Sequence, residues 1–477
     1  MLIVSVDFFD SVLIIGSFVP DPIGINCYCA YASDISMASS PSMKTSSCAL
    51  RCPKDEVSKF HGGAPSNVNE LLGKDAPQAQ ADVQSIGFAS PLRQRLGKEP
   101  LIVIESIATE VPEGKRTQSD VAHVVAALFD SNPEQRDRIP RLYAKTCIDT
   151  RHMAVDPLHS DFDRAMSIRK RMDLFVRHAA PLAIKVSSRA LTASRVVNPV
   201  TDIGMLVLVT STGFVAPGVD VAIVKGLGLS PSVSRAVVNF MGCAAAMNGL
   251  RLAADFVRAH PDSKALVCCV ELSSVNAVYN DDINDVIISS LFADGSAAMV
   301  VGSPSPTCEG HREQQIHLMP GEIIIRQNFH NLVDETSDGI TLGINHNGIT
   351  CELSPNLPSY IYTGLAPVIN RVLAHQKLSQ ADVHLWAIHP GGPKIIEESV
   401  RSLGLDSQYA AKSWEVLRKF GNMLSASLPF VLEQMIAEAK IERPLSRGLA
   451  FSFAPGITVE GMVFEVVGIG IDQSVIG

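Results

Sequence analysis

The sequence predicts an α/β fold of layered sheets and helices. From about residue 100 onward, short apolar runs of strand length alternate with amphipathic stretches of helical length. The runs lack polar alternation, so they read as strands buried on both faces, which favours mostly parallel pairing. The second half of the chain repeats the theme of the first, suggesting an internal pseudo-repeat.

The elements follow in order. Leu101-Ile-Val-Ile-Glu-Ser-Ile-Ala is the first strand and Met205-Leu-Val-Leu-Val-Thr the second. A helix opens over 219–225, 234–240 reads as a strand, and 244–259 reads as a helix stopped at His260-Pro261. Ala265-Leu-Val-Cys-Cys-Val is a further buried strand. In the second half, helices are expected over 360–374, 394–402 and 425–439, with a strand at 384–388. Two closing strands, 448–453 and 462–467, flank Pro455-Gly456.

Apolar residues make up 46% of the 477-residue chain and charged residues 19%, the balance of a globular protein. The formal charge of −9 argues against a nucleic-acid partner. No apolar window beyond the N-terminus is long enough to span a membrane. The first twenty residues are apolar but carry Asp7 and Asp10 and no Lys or Arg, unlike a secretory signal. Residues 1–95 read as a disordered leader or a gene-model extension, because 30–95 is rich in Ser, Ala, Pro, Gln and Asp without periodicity. Cys27, Cys29, Cys48 and Cys52 crowd into that leader, but their spacings do not match paired zinc ligands, and no metal is expected. The other cysteines sit mostly in apolar runs, which fits small core residues and a cytoplasmic, reducing location.

The chemistry is concentrated at three residues. Cys243 follows Gly242 and opens a helix through Ala244, Ala245 and Ala246, which are expected to leave space above the sulfur. A helix N-terminus favours thiolate over thiol, although a small core residue is the common fate of a cysteine. His389 ends a strand and enters the rigid turn Pro390-Gly391-Gly392-Pro393. An imidazole there suits proton transfer and donation to a thioester oxygen, and the alternative is a satisfied core histidine. Asn422, in Gly421-Asn-Met, is either a helix N-cap or an amide donor working with His389 in an oxyanion hole.

With these residues on the page, the chain resembles the type III polyketide synthases of the chalcone-synthase superfamily. The resemblance runs from about Pro100 to Val467. It rests on Asn239-Phe-Met-Gly-Cys-Ala-Ala-Ala, Leu291-Phe-Ala-Asp-Gly-Ser-Ala-Ala, Trp386-Ala-Ile-His-Pro-Gly-Gly-Pro, Gly421-Asn-Met and Ala454-Pro-Gly-Ile-Thr-Val-Glu. It implies a thiolase-like fold of α-β-α-β-α layers, with halves at 96–320 and 321–477. It also implies a Cys243 nucleophile that carries a starter acyl group, with His389 and Asn422 promoting decarboxylation of malonyl-CoA and holding the enolate. Acyl-CoA and malonyl-CoA are then substrates, and no metal or redox cofactor is needed.

The same resemblance maps a gate phenylalanine onto Phe292 and the plant family's second gate phenylalanine onto Cys351. The plant serine near the asparagine falls at Leu424, and the starter-binding threonines at Ser211, Ser273 and Asn276. These departures suit an aliphatic rather than a phenylpropanoid starter. Arg138, Arg141 and Lys145, with Gly391 and Gly392, occupy the CoA-binding stretches, although a basic helical stripe is also an ordinary solvated face. A homodimer is implied, with Ala216 where the family inserts a residue into the partner's cavity. Two rival readings share these features: a class III ketoacyl synthase extending with malonyl carrier protein, and a noncatalytic acyl-CoA-binding scaffold.

Overall fold

The computed structural model describes residues 100–468 apart from 130–131, 160–162, 164, 280–281, 305–316, 334–337, 346–347 and 440–444. The expected leader and its four cysteines lie outside the described residues.

The first half comprises β1 (Val103–Glu110), β2 (Lys115–Thr117), α1 (Gln118–Ala127), α2 (Pro133–Ala144), β3 (Thr150–His152), α3 (Ile168–Ala193), α4 (Pro199–Asp202) and β4 (Ile203–Thr210). It continues with α5 (Val219–Leu227), β5 (Ser234–Asn239), α6 (Ala245–Ala259), β6 (Lys264–Leu272), α7 (Ser273–Asn276), α8 (Ile283–Leu291) and β7 (Asp294–Gly302). The second half comprises β8 (Ile323–Leu332), β9 (Ile340–Asn345), β10 (Gly348–Leu353), α9 (Leu357–His375), β11 (Leu385–Ile388), α10 (Pro393–Leu403), α11 (Ala411–Phe420), α12 (Ser427–Ala439), β12 (Leu445–Ala454) and β13 (Thr458–Val467).

Local chemistry sets the element ends. The Ser167 side chain accepts the Lys170 N–H and caps α3. Pro393 sits in the first turn of α10, where no intrahelical donor is needed, and Gly404 closes that helix in left-handed backbone.

Nine strands pair in the order β11-β12-β13-β8-β1-β7-β6-β4-β5. The expected parallel pairing holds only for β4–β5, β4–β6 and β11–β12, and the remaining neighbours are antiparallel. The reason is partly visible at Pro455-Gly456. Gly456 takes φ +70, and the turn folds β13 straight back on β12 with no crossover helix.

The halves meet at a short joint, Val103 opposite Ile324 and Ile104 opposite Ile323. Outward from it the strand directions repeat. On one side β1 is antiparallel to β7, β7 to β6, and β6 is parallel to β4. On the other, β8 is antiparallel to β13, β13 to β12, and β12 is parallel to β11. Among the described residues β5 has no counterpart, and it forms one edge of the sheet.

The helices complete the five layers. One apolar cluster packs α3 and α5 on the outer face of the first half. A second packs α9 and α10 on the outer face of the other. Between the two halves of the sheet lie α6 and α12, whose Leu250, Val257, Leu428 and Val431 share a central core with strands of both halves. Each such buried aliphatic side chain contributes about 1.5–3 kcal/mol by leaving water. This central layer also fixes the site, because the turns leading into α6 and α12 emerge side by side.

Candidate active site

Cys243 does not open an α-helix directly. It occupies a 3-10 turn, Gly242–Ala244, that leads into α6. The chain reverses there because Phe240 and Gly242 both adopt left-handed backbone, at φ +60 and +63. A Cβ on residue 242 would stand 2.9 Å from Pro455 Cδ, so the β12–β13 turn presses against the nucleophile turn. Ala244, Ala245 and Ala246, expected to leave space above the sulfur, are all buried. Ala245 and Ala246 pack in the central core.

Asn422 belongs to the equivalent turn of the second half, where a 3-10 segment, Leu424–Ala426, leads into α12. It is not an N-cap of that helix. Its Oδ1 accepts the Leu424 N–H at 2.9 Å, holding Leu424 at φ +49. Its Nδ2 donates to the Gly391 carbonyl at 3.1 Å and lies 3.9 Å from Cys243 Sγ. The Asn422 backbone bridges Phe292 through Asn422 N–H to Leu291 O and Ala293 N–H to Asn422 O.

His389 follows β11, and its N–H donates to Phe451 O at 3.0 Å. The ring is buried, yet neither nitrogen has a protein partner. A satisfied core histidine would not be left so, because an unmade hydrogen bond on a buried polar atom is costly. Both nitrogens stay free for a ligand.

These three residues line one largely apolar cavity enclosing about 520 Å³ of empty space, mouth included, together with Gly391 and Pro455. A second space of about 690 Å³ adjoins it, lined by Ser211, Ser273 and Asn276 among others. Phe292, Leu342, Cys351 and Leu424 line both spaces and therefore form their junction. Leu342, on the β9–β10 hairpin, lies outside the motifs, and its only sequence signal is the alternation of Ile340, Leu342 and Ile344 with Thr341, Gly343 and Asn345. Arg151 braces the gate from behind, its guanidinium donating to the carbonyls of Ser289 and Phe292.

The electrostatics favour neutral groups. Burial lowers His389 to about 3. Burial also pushes the Cys243 thiol well above its ordinary value, with Cys351 and Glu271 adding to the shift and the Asn422 amide opposing it. Desolvation thus opposes the preference for thiolate that a helix terminus confers. Either charge alone is disfavoured, so a proton moved from sulfur to imidazole must create both charges together, each neutralising the other.

The remaining expected site residues fall elsewhere. Gly392 takes φ +150 at the start of α10 and lines neither space, while Gly391 does line the first. Arg138 and Arg141 lie on an exposed face of α2 with Lys145 just beyond it, and none lines a cavity. Ala216 is exposed on the loop between β4 and α5, away from both spaces. Among the described residues, no group of three or more His, Cys, Asp or Glu is placed to hold a metal ion. No described helix is long and apolar enough to cross a membrane.

Comparison with known proteins agrees with this geometry. Residues 91–305 match the family model for the N-terminal domain of chalcone and stilbene synthases, and residues 325–468 match that for the C-terminal domain. The chain is 58% identical over 407 residues to the alpha-pyrone synthesis polyketide synthase-like Pks18 of Mycobacterium tuberculosis, covering 84% of this chain and all of that one. It is 30% identical over 356 residues to type III polyketide synthase B of Arabidopsis thaliana, covering 70% and 86%. The crystal structure of PKS-I from the brown alga Ectocarpus siliculosus superposes with a TM-score of 0.71 at 38% identity, covering 78% of this chain and all of that one.

Proposed function

The chain belongs to the chalcone and stilbene synthase family and is a type III polyketide synthase, and we propose that it extends an aliphatic acyl-CoA with malonyl-CoA to give an α-pyrone or related polyketide. The observation that carries this reading is the convergence of Cys243, His389 and Asn422 on one apolar space, with both imidazole nitrogens free and the amide beside the sulfur.

The steps follow from those groups. His389 takes the Cys243 proton as the sulfur attacks the starter thioester, giving acyl-Cys243 and releasing CoA thiol. Malonyl-CoA then loses carbon dioxide, and its thioester oxygen becomes the enolate oxygen. Neutral donors from Asn422 Nδ2 and the His389 ring hold that oxygen, without a strong base. The enolate carbon attacks the acyl-Cys243 carbonyl, forming the new carbon–carbon bond and expelling the Cys243 sulfur. Repetition lengthens the chain, which the adjoining space receives past Phe292, Leu342, Cys351 and Leu424. The apolar side chains at that junction support an alkyl starter. Arg138, Arg141 and Lys145, solvent-facing and cationic, suit the phosphates of CoA outside the cavity.

A homodimer is part of the proposal. Among the described residues β5 ends the sheet with an unpaired edge, and Phe214, Val237 and Met241 are exposed around it, a surface that a second copy would cover. Ala216 lies on that side of the chain, between β4 and α5. The described cysteines are all free, which suits the cytoplasm.

The test is incubation with malonyl-CoA and a ladder of acyl-CoA starters, with products identified by mass spectrometry. Extended, decarboxylated products from long-chain starters are expected. Cys243→Ala should lose product by about a thousandfold or more while still decarboxylating malonyl-CoA. Product at the unsubstituted level from that variant, or extension only with malonyl carrier protein, would overturn the reading.

A further inference from the structure

Glu271 ends the apolar strand β6 fully buried, and among the described residues no cation bridges it. Its partners instead connect it to the two catalytic turns. Oε2 accepts the Ser211 N–H at 2.9 Å and the Thr212 hydroxyl at 2.9 Å. Ser211 relays the contact, because its Oγ accepts the N–H of Gly242, the residue before Cys243, at 3.0 Å. On the other side, Oε1 accepts the Ser425 hydroxyl at 2.5 Å. Ser425 lies in the 3-10 turn whose first residue, Leu424, donates to Asn422 Oδ1. A single carboxylate therefore reaches the nucleophile turn of the first half and the amide turn of the second.

We propose that Glu271 is a positioning residue that clamps these two turns together and so sets the spacing between the Cys243 sulfur and the Asn422 amide. The inference rests on the condensing activity proposed above. A carboxylate suits the task because both of its oxygens only accept, and its donors, the Thr210 hydroxyl at 3.5 Å among them, are amide or hydroxyl groups. Protonation would turn one oxygen into a donor and set its proton against one of those donors.

The clamp titrates within the working range. Burial raises Glu271 to about 7, while the donors from Ser425, Ser211 and Thr212 pull the other way. The titratable groups it acts on are the thiols of Cys243 at the head of α6 and Cys269 on β6 itself, both pushed up. The clamp is therefore closed above about pH 7 and loosened below it.

Two variants of the full chain test this, Glu271→Gln and Ser425→Ala. Turnover, starter loading on Cys243 by intact mass, and Cys243 alkylation by iodoacetamide are followed between about pH 5.5 and 8.5. In the unsubstituted enzyme, turnover should fall on the acid side of about pH 7. Glu271→Gln should lower turnover by about tenfold or more with the starter KM unchanged, and should abolish that acid-side fall. Ser425→Ala removes a donor that holds the carboxyl down, so the fall should move to higher pH.

An acid-side fall that persists unchanged in Glu271→Gln, or stays in place in Ser425→Ala, overturns the proposal. If Glu271→Gln does not fold, the direction of the shift in Ser425→Ala decides alone. If the unsubstituted enzyme makes no polyketide, the condensing reading fails, and alkylation still judges the clamp. A break near pH 7 in the alkylation rate that Glu271→Gln lacks supports the clamp, and the same profile in both overturns it.

Discussion

A buried imidazole with no partner leaves a signature in stability as well as in chemistry. His389 is ordinarily protonated near pH 6.5, and burial lowers that to about 3 in the folded chain. The unfolded chain therefore takes up a proton on acidification that the folded one refuses. The contribution is fully present above about pH 6.5 and is lost as the pH falls toward 3. Between pH 6.5 and 5 it amounts to about 2 kcal/mol. His389→Gln should lose correspondingly less unfolding free energy over that interval in denaturant titrations, and equal losses in both proteins would refute the account. At this scale the sequence was informative where neighbours carry the signal: Gly242 before Cys243 and the Pro-Gly-Gly-Pro turn after His389 both mark reversals of the chain. The upward pull on the thiol was not legible, because it comes from burial and from residues brought in by other elements, Cys351 from β10 and Glu271 from β6. Glu271 itself had a readable signal that went unused, a lone carboxyl closing the apolar run 265–270.

Among the elements, the β9–β10 hairpin governs what passes between the two spaces. Cys351 of β10 is buried at their junction beside Phe292, Leu342 and Leu424. Filling that position with Cys351→Phe should narrow the passage while leaving Cys243 in place. The kcat/KM ratio of long-chain to short-chain starters should then fall by about tenfold or more, since a ring cannot be absorbed at native packing density. Competition between a short and a long acyl-CoA, read by product mass, checks this, and an unchanged ratio would refute it. Strands and helices with strong apolar runs, such as β4, β6 and α6, were legible within a few residues. The hairpin went unread although it carries the period-two signal of half-buried strands, Ile340, Leu342 and Ile344 alternating with Thr341, Gly343 and Asn345, and Ile349, Cys351 and Leu353 with Thr350 and Glu352. The antiparallel return of β13 was also missed. Buried strands read alike in either direction, and only the turn at Pro455-Gly456 reveals which occurs.

For the whole molecule, the edge at β5 sets the expected assembly. Val237→Lys places a charge in the middle of that edge, a device that blocks strand pairing. The variant should elute as a monomer where the unsubstituted protein elutes as a dimer, with mass read by light scattering, and an unaltered dimer would place the interface elsewhere. The repeated strand directions have a further consequence, one of symmetry. Turning one half onto the other carries the Cys243 turn onto the Asn422 turn, each a 3-10 segment feeding a central helix. The same turn thus serves twice, presenting a thiol in one half and an amide in the other. That arrangement cannot be kept on separating the halves, because α6 and α12 are a common property of both.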